Sequence, residues 1–181
     1  MKYIKHIIVI LIIMVCSCAS SKPTASLKQI EALNTLIESQ EFNIESDMVY
    51  PQVTYATQQV LNSGLLPPGN TAGAINLIGN SNYLKVSGDS ISSYLPYFGE
   101  RQMQVQYGGG DSAIQFDGIM ENYSVTKGKN ESYLIKFQAK SKFEQFDGII
   151  TIFPNMKTEI FLNGNSRFSI RYSGHVIQVS E

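Results

Sequence analysis

Tryptophan is absent from this chain of 181 residues, and its only two cysteines, Cys16 and Cys18, stand near the start. Beyond Cys18 the chain can form no disulfide, no cysteine-ligated zinc site and no thiol nucleophile. Histidine is almost as scarce, since His6 precedes the N-terminal apolar run and leaves His175 alone in the body. Without a Gly-x-Ser-x-Gly elbow or a comparable nucleophile motif, that histidine reads as a surface or strand-end residue. Charged residues make up only 16% of the chain. Setting aside Lys2 and Lys5, 12 of the 14 basic side chains stand against 15 acidic ones. No basic stripe is available for nucleic acid.

No long apolar stretch exists either. The longest, Ile7 to Val15, falls well short of the roughly 20 residues a membrane-crossing helix needs. Preceded by MKYIKH and followed by small residues, it reads as a secretory signal. Val15-Cys16-Ser17-Cys18 resembles the bacterial lipobox, with an aliphatic residue three before the modified cysteine and a small one just before it. Residues 1–17 are then a lipoprotein signal peptide, and residues 18–26 are a lipidated Cys18 with a short polar tether. Palmitate-type chains on Cys18 would each contribute about 0.8 kcal/mol per buried methylene, enough for stable anchoring when more than one is attached. The absence of an acidic residue after Cys18 favours the outer membrane, facing the periplasm. The alternative is cleavage after Ala19 to give a free periplasmic protein.

Residues 27–181 read as a single β-rich domain. Leu27, Ile30, Leu33, Leu36 and Ile37 recur at helical spacing behind Ser26, a suitable N-cap. From Glu41 the period becomes two. Strands are expected around Phe42 to Tyr50, at Tyr83 to Val86 and Ile91 to Leu95 joined by a tight turn, at Tyr133 to Lys140, and at Thr158 to Tyr172 interrupted by a turn at Asn163 to Asn165. The expected fold is α+β and mainly β: an N-terminal helix on a twisted antiparallel meander sheet of about eight strands, curling toward a barrel or sandwich. The stretch from Tyr55 to Ala74 shows no clear period.

The runs YLKVSGDSISSYLPYFGE, YGGGDSAIQFDGIMENYSV and NGNSRFSIRYSGHV resemble the domain of unknown function 4251 family, a group of bacterial lipoproteins without assigned activity. The resemblance implies class and location. It brings no catalytic residue with it.

QFDGI occurs twice, at 115–119 and 145–149. In the family pattern an FDG element belongs to the first copy only. The residues suggest a bend at Asp117-Gly118, and a bulge in a long strand at Asp147-Gly148. Asp111, Asp117 and Asp147 are the candidates for a cation or paired-carboxylate site, although their spacing fits no compact calcium loop. Tyr94, Tyr97, Phe98 and Tyr107 are the candidate ligand-binding aromatics, with core closure as the competing use of YLPYFG. Asp89-Ser90-Ile91 and Asp111-Ser112-Ala113 resemble a short periplasmic O-glycosylation pattern. No cofactor is expected.

These features point to a non-enzymatic, outer-membrane-anchored periplasmic lipoprotein with a binding or structural role. Its partners would be the membrane, through Cys18, and an envelope protein or small ligand. A periplasmic hydrolase using two of Asp89, Asp111, Asp117 and Asp147 is the alternative, and requires carboxylates paired across a cleft.

Overall fold

The computed structural model describes residues 25–55, 58–59, 68–102, 113–142 and 144–177. Helix α1 spans Leu27–Ser39. Ser26 caps it as expected: its Oγ accepts the Gln29 amide at 3.3 Å, and Gln29 Oε1 accepts the Ser26 amide at 3.0 Å. Gln40 ends the helix in the left-handed region, φ 51°. Leu33 and Ile37 are buried, but Leu27, in the first turn, is 81% exposed. The apolar stripe therefore reaches the sheet only through its later turns.

Ten strands follow: β1 (Glu41–Pro51), β2 (Ile75–Asn76), β3 (Tyr83–Ser87), β4 (Ser90–Leu95), β5 (Ile114–Ile119), β6 (Glu121–Lys127), β7 (Tyr133–Lys140), β8 (Gln145–Ile152), β9 (Lys157–Gly164) and β10 (Ile170–Ile177). Their order is β5-β4-β3-β1-β10-β9-β8-β7-β6, with β2 pairing β1 off that path, and every pairing is antiparallel. Apart from one gap this is a meander closed on itself, a nearly complete barrel.

The gap lies between β5 and β6, which run in the same direction and are separated by Met120 alone. They act as one strand bent at a corner, pairing β4 before the bend and β7 after it. Counted this way, the barrel has the eight positions anticipated. The corner is made by a register shift between Glu121 and Ser124, a positive φ of 52° at Asn122, and a bond from the Met120 amide to Asp89 O at 2.8 Å.

Alternation along the strands packs Phe42, Ile44, Leu84, Ile91, Phe116, Phe137, Phe146, Ile150 and Tyr172 into one interior core. Helix α1 lies across one end of the barrel. The Gly88 amide donates to Gln40 O at 2.9 Å, and the Tyr133 hydroxyl donates to Asn34 Oδ1 at 2.9 Å. Two local expectations are corrected. Asn163 and Gly164 continue β9 as partners of Asp147 and Phe146, so the β9–β10 connection falls at 165–169. β8 covers residues 145–152 without any bulge.

Candidate functional site

The two QFDGI copies are neither bend nor bulge. Gly118 lies within β5 and Gly148 within β8, each in unbroken register, and neither has a positive φ. A strand sends successive side chains to opposite faces. Phe116 and Phe146 therefore enter the core, and Asp117 and Asp147 face out. The two phenylalanine rings meet inside, 5.7 Å apart between centroids and tilted by 45°, and Phe116 also lies 6.2 Å from Phe137. Gly148 has a steric purpose: a Cβ there would come within 2.1 Å of the Phe137 ring. At Gly118 an added Cβ would meet nothing within 4 Å.

The outward aspartates lie on different strands. Asp117 stands opposite Ser92, and Asp147 opposite Gln138, whose Nε2 donates to Asp147 Oδ1 at 2.6 Å. Asp89 is exposed at the β3–β4 turn, where it accepts from the Ser90 hydroxyl at 3.1 Å. Among the described residues, no three or more His, Cys, Asp or Glu side chains gather to hold a metal ion. Cys18, Tyr107 and Asp111 lie outside the described residues.

YLPYFG divides its aromatics. Tyr94, in β4, faces outward beside its cross-strand neighbour Tyr83. Tyr97 is buried, and Phe98 packs partly against the core. The Tyr97 hydroxyl donates to Glu100 O at 2.7 Å and to Phe168 O at 3.1 Å, and Tyr172 donates to Pro96 O at 2.9 Å. Burial pushes the Tyr97 phenol up to about 12, against the opposing pull of the Arg167 guanidinium. Burial raises the Tyr172 phenol as well.

Those contacts lead to a pair that sequence reasoning missed. Arg167 and Glu144 form a buried ion pair at the barrel end opposite α1, with Nε 2.9 and 3.0 Å from the two carboxylate oxygens and Nη2 2.7 Å from Oε2. The guanidinium carbon sits 4.8 Å from the Tyr97 ring centroid and 5.6 Å from that of Phe146. Gly164 makes room, since a Cβ there would approach Glu144 Oε1 at 2.8 Å. Backbone bonds from Phe168 to Glu100 and from Gln102 to Ser166 align the same segments. The cluster joins the stretches 96–102, 144–146 and 164–168 into one closure. With both Glu144 oxygens engaged by Arg167, the arrangement is a clamp that holds these segments together. The only sequence signal was an arginine in a strand-rich region, and its acid lies 23 residues away.

His175 Nδ1 lies 3.2 Å from Asp47 Oδ2, both half-exposed. Asp47 is the extra residue where the β1–β10 register shifts between Ser46 and Met48. Behind the bulge, buried Asn82 accepts from the Ser46 amide at 2.8 Å and donates to Ser46 O at 3.0 Å, taking the place of a strand partner.

A solved structure of a DUF4251 family protein from Bacteroides eggerthii DSM 20697 is similar to this chain, with a TM-score of 0.54 at 12% identity, over 83% of this chain and 87% of that one. At that identity the likeness speaks for the fold. No curated protein matches. The family model for the domain of unknown function (DUF4251) matches residues 25–176, taking in α1, every strand up to β10 and the clamp. The chain belongs to the DUF4251 family.

Proposed function

We propose that this protein is a non-enzymatic lipoprotein of the bacterial envelope, held at the outer membrane by acyl chains on Cys18 and acting through contacts of its barrel surface. The observation that carries the non-enzymatic reading is the outward, separate placement of Asp117 and Asp147, while the buried acid, Glu144, is engaged by Arg167. Anchoring rests on Val15-Cys16-Ser17-Cys18. The outward pair Tyr83 and Tyr94 offers aromatic surface for a small ligand or an envelope partner.

Intact mass after expression in a Gram-negative host tests the anchor. The expected product lacks residues 1–17 and carries diacylglycerol and an N-acyl chain, and Cys18→Ser abolishes both changes. A chain with an unmodified Cys18 would end this reading. Recovery in the inner-membrane fraction would end the outer-membrane assignment alone.

A further inference from the structure

We infer that the α1-capped end of the barrel is a membrane-contact surface, seated on the phospholipid headgroups with Leu27 and Ile119 as its apolar contacts. The inference rests on the anchoring proposed above. From Cys18 to Ser26 the chain has eight peptide steps, which span at most about 29 Å when fully extended. Ser26 begins α1, and α1 lies across the end of the barrel marked by the β3–β4 turn and the start of β7. The tether therefore delivers this end to the bilayer first.

Two of the exposed large apolar residues belong to it. Leu27 starts the helix at 81% exposure, and Ile119, 68% exposed, ends β5 opposite Ser90, beside the β3–β4 turn that bonds the C-terminus of α1. Lys28 and Lys129 are exposed at the same end, within reach of lipid phosphates, and Glu31 and Glu131 offset their charge. The contact is therefore mainly apolar, with charge in a minor part.

The opposite end is the rival, because Val53 and Tyr55 are exposed beyond β1. Eight-residue strands are roughly 26 Å long, and the tilt of about 35–45° usual in barrels makes the wall about 20 Å tall. Seating that far end would require the tether to use most of its reach of about 29 Å to pass the barrel, at an entropic cost that the α1-down seating avoids. Placing α1 down leaves the tether slack and the Arg167 clamp facing away from the membrane.

The test uses the lipidated full-length product in phosphatidylethanolamine and phosphatidylglycerol vesicles. Single variants Leu27→Cys, Ile119→Cys, Tyr55→Cys and Asn165→Cys each carry a thiol-linked fluorophore, with spin-labelled lipids as quenchers. The expected result is a loss of emission at Leu27→Cys and Ile119→Cys that exceeds the loss at the other two positions. Equal or stronger quenching at Tyr55→Cys or Asn165→Cys, or no difference among the four, overturns the orientation while the anchor stands. Intact mass is read on the same samples: an unmodified Cys18 overturns the anchor, and the orientation with it.

Discussion

The rings of Phe116 and Phe146 stand 5.7 Å apart inside the barrel, although the two residues come from strands at different places in the sheet. A repeated pentapeptide has become a contact between its own two copies. Its phenylalanines share the core, and its aspartates are left on the outer wall.

The glycines of the two copies should respond differently to the same change. Gly148→Ala drives a methyl group into the Phe137 ring and should cost about 1–3 kcal/mol or more, as overpacking does. Gly118→Ala meets open space and should fall within about 1 kcal/mol of neutral. Urea denaturation of both variants compares them, and equal losses would contradict the steric account.

Removing one partner of the Arg167–Glu144 clamp should be more damaging than removing both. Arg167→Met or Glu144→Leu alone leaves a buried group uncompensated, at about 3–5 kcal/mol for the loss of a charge partner. The double variant Arg167→Met with Glu144→Leu should recover much of that loss. A double-mutant cycle with near-additive losses would show that the pair is not coupled.

Alkaline stability should carry the signature of Tyr97. Its folded phenol is raised to about 12 from 10.0, so its contribution is fully present below pH 10 and is lost as pH rises through 12. Unfolding midpoints between pH 9 and 12 should fall for the parent chain and fall less for Tyr97→Phe. An identical pH profile for the variant would remove Tyr97 from the account.

Asn82→Ala should destabilise the β1 bulge. It leaves the buried amide and carbonyl of Ser46 without their partner, at about 1–3 kcal/mol for each unsatisfied group. Amide exchange at Ser46 reads the effect locally, and unchanged protection would show that another group holds the strand.

The sequence was legible where local periodicity governs. The α1 cap at Ser26, the two-residue turn at Gly88-Asp89 and the alternation of β7 follow from residue order alone. The count of eight positions also held, once β5 and β6 are taken as one bent strand. Asp117-Gly118 and Asp147-Gly148 misled because Asp-Gly commonly marks turns, while cross-strand packing against Phe137 decided the matter at Gly148. Arg167 and Glu144 stayed hidden because their pairing depends on the β8–β9 register and on loop closure. Neither can be read from the spacing of one arginine and one glutamate.

β1 and β10 lie side by side, with Asn43 opposite Ile177 and Pro51 opposite Ile170. The first strand of the barrel therefore has no stable neighbour on that side until the last has been synthesised. A chain emerging N-terminus first, from a ribosome or a channel, keeps β1 waiting across more than a hundred residues, and such distant pairings close slowly. The ring should therefore complete late, and a truncation that removes β10 should leave a chain that cannot close, rather than a slightly smaller barrel.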